Sequence, residues 1–435
     1  MLNRREFLGK GVAGAASLLL HSGLSEAASG TGADMPNIVF MFIDDMGFAD
    51  PSCYGNPAME TPHIDRLAQE GTRFTNAYVN SPICSPARVA VTTGQYPARW
   101  DIHSYLASRK RNRQRGMAHY LDPAAPSIGL ILQRAGYATA HFGKWHMGGG
   151  RDVGDAPLPQ AYGFQESLVA FEGLGNRVLP PGRLSDLSEE LGRGDIMHAP
   201  KHKQTEIYVD HAIDFMRRHR DDSFFLRVFP NDVHDVHKPA PGSTEKWKKV
   251  TDNPYEQKFF AVLEEMDRQI GRLMGEIDRL GLARDTLVVF LSDNGPTDWP
   301  RYYREGWNPP GFTGPLYGRK WSLYEGGTRM PLIARMPGTI PAGATDTDTI
   351  ISGIDLPPTF CSMAGVGVPD EVDFDGEHLS DALTGTPVQR DNPLFWQYGE
   401  PHATLMPGNE DFISPTFAVR NGRWKLLINR DGAGA

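Results

Sequence analysis

Three apolar segments mark the chain before residue 300. They cover residues 37–43, 224–229 and 286–291 and are rich in Val, Ile, Leu and Phe, and a further short strand is predicted at residues 137–142. Strands that are apolar along their whole length are typical of parallel sheets, in which helices cover both faces. The pattern therefore predicts buried strands of such a sheet.

Apolar residues at three- and four-residue spacing predict helices between these strands. The clearest of these patterns covers residues 255–281 and includes eight apolar positions on one face. Further helices are predicted at residues 127–136, 205–219 and 355–365.

Two segments depart from this alternation of strands and helices. Residues 147–200 are rich in Gly and Pro, and we expect a long excursion over the face that would carry a site. Residues 417–428 predict a hairpin. The resulting division is a main domain at residues 36–365 and a short C-terminal subdomain at residues 366–435.

Charge and cysteine content narrow the possible functions. The 435-residue chain has a formal net charge of −9, so it lacks the excess of cations that general nucleic-acid binding requires. Its three cysteines are too few for a disulfide framework. Cys53 and Cys361 could pair or remain free thiols, and the sequence leaves both alternatives open.

The first thirty residues are typical of an export signal. Arg4 and Arg5 precede a weakly apolar stretch at residues 11–20, and small residues near position 27 offer cleavage sites. This arrangement resembles a twin-arginine signal. The alternative, a membrane anchor, needs about 20 apolar residues. We therefore expect export to the periplasm or the cell exterior, exclude residues 1–30 from the fold and expect no stable membrane span.

Acidic and amide side chains follow two of the apolar strands. Asp44 and Asp45 come directly after the first strand, and Asp293 and Asn294 come after the third. Open α/β sheets bind their ligands at the carboxyl ends of strands. Such residues also form ordinary turns, but two separated motifs of one type argue against coincidence. Four such side chains suit one hard divalent cation.

The segment Cys84-Ser-Pro-Ala-Arg88 predicts an anion site at the start of a helix. Pro86 fits the first turn of a helix, so Cys84 lies where the helix dipole and free N–H groups favour negative charge. Arg88, one turn later, adds a cation on the same side. On these residues alone, an ordinary cysteine at a helix start is the simpler interpretation.

Two further basic patterns stand out. Lys144 and His146 alternate around Trp145 at a predicted strand end, so both side chains can point to one side. Residues 109–115 contain four arginines and one lysine. Such a run is usually a solvated face, but it could also form a subsite in a protein that acts on polyanions.

Together these motifs resemble those of the formylglycine-dependent sulfatases. Cys-x-Pro-x-Arg is similar to the family signature, Gly-Lys-Trp-His at residues 143–146 to the second signature, and the segment around Lys320 to a lysine-bearing loop. The matches occur in family order over residues 36–430. The resemblance implies an alkaline phosphatase-like α/β fold, with a mixed, mainly parallel sheet sandwiched by helices and a small C-terminal antiparallel sheet. More chain normally follows this last sheet, so we expect a short or truncated C-terminal subdomain.

The resemblance also implies roles for individual residues. A formylglycine-generating enzyme would oxidise Cys84 to formylglycine, whose hydrate is the nucleophile. His234 would protonate the leaving alcohol, with His237 as a rival for that role. The remaining roles fall into two sets: Arg88, Lys144, His146 and Lys320 for the sulfate and catalysis, and Asp44, Asp45, Cys84, Asp293 and Asn294 for a divalent metal, Ca²⁺ or alternatively Mg²⁺.

The expected function is hydrolysis of sulfate monoesters, either of sulfated saccharides or of aryl sulfates. One alternative is a phosphomonoester or phosphonate monoester hydrolase on the same scaffold, which as a two-metal phosphatase would need further Asp and His ligands. The other is a non-catalytic binder of sulfated glycans, which would lack Cys84 or the metal-binding aspartates. Because those residues are all present, the sequence favours the sulfatase.

Overall fold

The structure, a computed structural model, describes residues 35–182, 185–398 and 405–429. The predicted export signal at residues 1–30 lies outside these residues. No helix within the described ranges is long and apolar enough to cross a membrane. All three cysteines are free thiols, so Cys53 and Cys361 do not pair.

The described residues form fourteen strands, and eleven of them share one sheet. In chain order the strands are β1 Asn37–Ile43, β2 Thr72–Tyr78, β3 Ala138–Lys144, β4 Glu166–Ala170, β5 Arg177–Leu179, β6 Ile196–His198, β7 Phe224–Phe229, β8 Thr286–Ser292, β9 Arg329–Arg335, β10 Ala344–Asp346, β11 Ile351–Ser352, β12 Leu394–Gln397, β13 Phe417–Asn421 and β14 Trp424–Ile428.

The described helices are α1 Pro62–Gln69, α2 Cys84–Thr93, α3 Arg109–Gln114, α4 Ile128–Arg134, α5 Leu187–Glu190, α6 Lys201–Arg218, α7 Pro254–Arg279, α8 Pro300–Arg304, α9 Glu325–Thr328, α10 Leu356–Ala364 and α11 Ser380–Leu383. The four helices predicted from periodicity are present as α4, α6, α7 and α10. The largest shift is in α6, which begins at Lys201 rather than at residue 205.

The large sheet is mixed and mainly parallel, as predicted. Its order is β10-β2-β9-β8-β1-β7-β3-β4-β5-β6, and β11 also pairs with β2. The strand β9 runs antiparallel to both of its neighbours, whereas the pairs on either side of β1 are parallel. In β1–β8 pairing, Ile43 lies opposite Ser292. The carboxyl ends of these two strands are therefore level.

Helices cover both faces of this sheet. Alternate residues of β1 enter two separate cores: Phe40 and Phe42 pack on the side of α2, α4 and α10, and Val39 and Met41 pack on the side of α1, α6 and α7. This explains why β1 has no polar face, because both of its faces are buried.

The prediction for residues 147–200 was wrong in part. This Gly- and Pro-rich segment contributes β4, β5 and β6, which extend the parallel sheet beyond β3. These strands were not predicted from the sequence, because two of them, β5 and β6, have only three residues. A strand that short cannot show a two-residue alternation above the background of its flanking turns.

The C-terminal sheet consists of β12, β13 and β14, all antiparallel. The predicted hairpin is formed by the last two of these strands. Trp396 of β12 is buried and its indole N–H donates to the main-chain oxygen of Val79 at 2.7 Å. Lys425 of β14 donates to Glu325 at 3.0 Å. The small sheet therefore packs directly on the region that leads into α2.

Candidate active site

The ends of β1 and β8 bring the predicted metal-binding residues together. Asp44 and Asp45 follow β1, and Asp293 follows β8. The main-chain N–H of Asp45 donates to Asp293 Oδ1 at 3.0 Å. Asp45 has a φ of 62°, which lies in the left-handed region that non-glycine residues seldom adopt. All three carboxylates are buried in this turn.

Asp44 forms a buried charge network with two cations. Lys144 Nζ lies 2.7 Å from both carboxylate oxygens of Asp44. Arg88 lies 3.5 Å from Asp44 and 2.6 Å from Asp293 Oδ2. Burial would raise the pKa of Asp44, but Lys144, His234 and Arg88 outweigh it and hold that pKa well below its usual range. For Asp293, burial and the charge of Asp44 raise the pKa to about 7.

Asp45 gathers donors from two other segments of the chain. Asn294 Nδ2 donates to Asp45 Oδ1 at 2.8 Å, and the Thr297 hydroxyl donates to Oδ2 at 2.7 Å. Lys320 forms a buried ion pair with the same carboxylate. Burial would lower the pKa of Lys320, but Asp45 raises it above its usual value. Lys320 is therefore a permanent cation of the site.

Cys84 is the first residue of α2, and Pro86 lies in the first turn, as predicted. The Cys84 sulfur lies 3.4 Å from Lys320 Nζ and 4.0 Å from Asp45 Oδ1. Burial raises the pKa of the Cys84 thiol to about 12, although Lys144 and Lys320 oppose this. The unmodified side chain is thus a protonated thiol at neutral pH and a weak nucleophile.

His146 and Lys144 both contact the aromatic ring of Phe171. The His146 and Phe171 ring centroids are 4.5 Å apart, and Lys144 Nζ lies 4.7 Å from the same ring. His146 Nε2 donates to the carbonyl of Leu106 at 3.2 Å, because a carbonyl oxygen can only accept. Burial, then Lys144 and Arg88, lower the pKa of His146 well below its usual value. Nδ1 has no hydrogen-bond partner among the described residues, so its lone pair is not engaged by the protein there.

The two rival histidines occupy different positions. His234 Nε2 lies 3.7 Å from Asp45 Oδ2, and its side chain is 23% exposed. His237 is buried behind it, where Nε2 donates to the Val233 carbonyl at 2.9 Å and the ring packs on Phe259. Burial lowers the pKa of each to about 4. Only His234 of this pair therefore borders the carboxylates.

The sequence of the chain matches two models of known protein families. The sulfatase family model matches residues 36–366, and a model described as "N-sulphoglucosamine sulphohydrolase, C-terminal" matches residues 316–431. The chain belongs to the sulfatase family. The predicted family, the alkaline phosphatase-like fold and the assignment as a sulfuric ester hydrolase are thereby confirmed.

Relatives of this sulfatase cover nearly all of its length. It is 32% identical to arylsulfatase A of Homo sapiens, over 94% of this chain and 78% of that protein. It is 27% identical to an N-acetylgalactosamine-6-O-sulfatase of Bacteroides thetaiotaomicron, over 93% of this chain and 87% of that protein. The crystal structure of Ps i-CgsB in complex with k-i-k-neocarrahexaose matches with a TM-score of 0.73 and 25% identity, over 90% of this chain and 84% of that chain.

The site of this sulfatase contains side chains that fit a hard divalent cation. Ligand atoms of Asp44, Asp45, Cys84 and His234 all lie within 4.8 Å of one another. Asn294 Oδ1 is buried and has no hydrogen-bond partner in the described part of the chain. Carboxylate and amide oxygens are the ligands that Ca²⁺ and Mg²⁺ prefer. An unpartnered buried amide oxygen beside two carboxylates is therefore suited to such an ion.

Two residues that contact the site, Thr297 and Phe171, were not predicted from the sequence. Thr297 lies three positions after Asn294, and its closeness to a strand-end motif was a usable signal. Phe171 contacts both Lys144 and His146, but it lies directly after β4, in the segment that was predicted to be an excursion. It has a φ of 64°, and no local pattern in the sequence indicates that conformation.

Proposed function

We propose that this sulfatase hydrolyses sulfate monoesters of saccharides, using a formylglycine made from Cys84 and a bound Ca²⁺. The single observation that carries the proposal is the position of the Cys84 sulfur. It lies buried at the start of α2, beside the ion pair formed by the Lys320 ammonium and the Asp45 carboxylate. The side chain at position 84 therefore lies next to both the Lys320 cation and a candidate metal ligand, Asp45.

The environment of Cys84 favours conversion of the side chain over direct use of the thiol. Burial raises the thiol pKa to about 12, so little thiolate is available near neutral pH. A formylglycine hydrate would supply one hydroxyl as nucleophile and a second hydroxyl for release of the sulfate. A formylglycine-generating enzyme is accordingly the partner that maturation requires.

The metal would be held by Asp44, Asp45, Asp293 and Asn294 together with the group at position 84. Ca²⁺ is preferred to Mg²⁺ because it tolerates an irregular set of oxygen ligands. When bound, the ion would polarise a sulfate oxygen and favour ionisation of the nucleophile. The unpartnered Asn294 Oδ1 is the observation that supports this ligand set.

The cations of the chain neutralise the sulfate. Arg88, Lys144 and Lys320 are all buried, and a sulfate monoester brings a negative charge that would otherwise repel a nucleophile. Charges fixed before the reaction stabilise developing negative charge without reorganisation. These three residues therefore bind the sulfate and lower the barrier to attack at sulfur.

Two histidines move protons in this proposal. His234 donates a proton to the oxygen of the leaving alcohol. Burial lowers the pKa of His234 to about 4, but an anionic sulfate next to the ring favours the imidazolium and opposes this effect. His146 would accept the proton of the second hydroxyl of the hydrate at Nδ1, the nitrogen without a partner among the described residues.

The saccharide class rests on relatives. One relative is an N-acetylgalactosamine-6-O-sulfatase, and the similar structure of Ps i-CgsB was solved in complex with k-i-k-neocarrahexaose. The test is sulfate release, measured by ion chromatography, from sulfated mono- and oligosaccharides and from 4-nitrophenyl sulfate. We expect release from at least one saccharide, with none from the Cys84→Ala variant. Hydrolysis of the aryl sulfate alone would contradict the saccharide assignment.

We also propose that the protein is exported. Arg4 and Arg5 support export by a twin-arginine signal. Replacement of both arginines by lysine should leave the protein in the cytoplasm, which fractionation and immunoblotting would detect. Export of that variant would contradict the proposed signal.

A further inference from the structure

A cleft of about 490 Å³ opens beside His234. Asp44 and His234 line its inner end, and Phe171 lines one wall. Proline side chains make up much of the remaining wall, at positions 180, 181, 200, 239 and 241. The volume is within the range of about 300–1,000 Å³ that is typical of small-molecule sites. The cleft is thus continuous with the active site and large enough for saccharide units.

Phe171 forms the boundary between this cleft and the active site. Its ring lies 4.5 Å from the His146 ring and 6.0 Å from the His234 ring, measured between centroids. Its φ of 64° is a costly conformation for an aromatic residue. The backbone therefore holds a half-buried aromatic face at the cleft wall, where the apolar face of a sugar ring can pack against it.

The acidic groups that line the cleft are already compensated. Asp44 is paired with Lys144. Asp235 is paired with Arg301 and also accepts from the Tyr302 hydroxyl. Neither carboxylate adds uncompensated negative charge to the cleft.

Neither of the two lysines that line the cleft forms an ion pair with a described residue. Lys201 donates to the main-chain oxygens of His234 and Val236, and no ion pair to a described residue involves it. Lys238 is exposed and likewise forms no ion pair within the described ranges. Asp232, Asp44 and Asp235 offset part of the charge of Lys201. Lys238 is therefore the cation of the cleft that has no ion-pair partner among the described residues and that solvent and ligands can reach.

We propose that this cleft binds the alcohol part of the substrate, and that Lys238 binds a carboxylate on the neighbouring sugar. The inference deepens the proposed function and rests on it. His234 is the proposed proton donor to the leaving oxygen, so the rest of the alcohol must lie on the His234 side. The substrate class is consequently an oligosaccharide with at least two acidic groups, one of which is the sulfate that is hydrolysed.

The experiment is competition by disaccharides against turnover of 4-nitrophenyl sulfate by the full-length, matured enzyme. The probes are a sulfated chondroitin disaccharide and the same compound with its uronate carboxylate reduced to the neutral alcohol. For the wild type, we expect the carboxylated probe to compete about tenfold more strongly, the effect of one charge-assisted hydrogen bond. Lys238→Ala should remove this preference and leave turnover of the aryl sulfate unchanged.

Lys249→Ala is the matched control, because Lys249 is an exposed lysine that does not line the cleft. It should keep the wild-type preference. The proposal is overturned if the wild type does not distinguish the probes, if neither probe competes, if Lys238→Ala keeps the preference, or if Lys249→Ala loses it equally. Sulfate release from the probe is followed separately. If the probe competes with the expected preference but neither it nor any other sulfated saccharide releases sulfate, the proposed function is contradicted and the cleft assignment is not.

Discussion

The protonation states of single residues in this site depend on neighbours that are distant in the sequence. Asp44 stays ionised despite burial because Lys144, 100 residues away, lies 2.7 Å from its oxygens. Cys84 shows the opposite balance, since burial dominates and raises its thiol pKa to about 12. These differences assign an anionic ligand role to Asp44 and leave the unmodified thiol of Cys84 unreactive.

The role of His234 can be tested through the leaving group. His234→Ala should lower turnover of a sugar sulfate by roughly 10²–10⁴-fold, the usual contribution of a positioned acid. Turnover of 4-nitrophenyl sulfate should fall far less, because its leaving group hardly needs a proton. Steady-state kinetics with both substrates gives the comparison. The control, His237→Gln, retains a donor toward the Val233 carbonyl and should show no dependence on the leaving group. If the control shows that dependence and His234→Ala does not, the assignment is reversed.

His141 provides a test of stability against pH. It is fully buried, and burial, then Arg227 and Arg88, lower its pKa well below the usual value. The unfolded chain therefore takes up a proton below about pH 6.5 that the folded chain refuses. The free energy of unfolding should fall as the pH drops from 6.5 to 5, by up to about 2 kcal/mol from this residue.

The matched variant for this test is His141→Phe, which keeps an aromatic ring next to Trp145 and Phe229. Urea denaturation at pH 7 and pH 5 should show a smaller loss of stability in the variant than in the wild type. Equal losses in the two proteins would mean that His141 does not contribute to acid lability.

At the scale of secondary-structure elements, the register of β1 and β8 positions the ligands. Because Ile43 lies opposite Ser292, the residues that follow on each strand reach the same edge of the sheet. This convergence could be predicted from the sequence, since both strands are apolar and each is followed by acidic or amide side chains. The left-handed backbone at Asp45 could not be predicted, because it depends on the bond from its N–H to Asp293 Oδ1.

Asn294 tests the metal site. Asn294→Ala removes the buried amide oxygen that has no partner among the described residues. The wild-type enzyme should gain thermal stability on addition of Ca²⁺, because a ligand that binds only the folded state stabilises it. Differential scanning fluorimetry after chelation should show a much smaller gain in Asn294→Ala. Asn294→Asp keeps an oxygen ligand and should retain the gain. An undiminished gain in the alanine variant would exclude Asn294 as a ligand.

In the molecule as a whole, the small C-terminal sheet packs against the active-site region. Trp396, Tyr398 and Ala418 share a core with Cys84 and Trp321. The hairpin was evident in the sequence from its alternating apolar residues and its Asn-Gly turn. Its docking on α2 was not, because long-range packing leaves no local periodicity.

Trp396 tests this docking. Trp396→Ala should destabilise the enzyme by about 3–5 kcal/mol, the usual effect of removing a large buried side chain, and it also removes the bond to Val79. Chemical denaturation measures the change. The control is Trp424→Ala on the same sheet, whose side chain is 71% exposed. That variant should change stability by less than about 0.5 kcal/mol. Similar losses in both variants would show that the sheet is not anchored through Trp396.

Conversion of Cys84 to formylglycine underlies the proposed chemistry, and mass spectrometry of the peptide that contains residue 84 tests it. The enzyme is produced with and without a formylglycine-generating enzyme, and the converted fraction is compared with the sulfatase turnover of each preparation. We expect the mass of an aldehyde in place of the thiol, with turnover proportional to the converted fraction. Full turnover by a preparation whose Cys84 is entirely an unmodified thiol would contradict it.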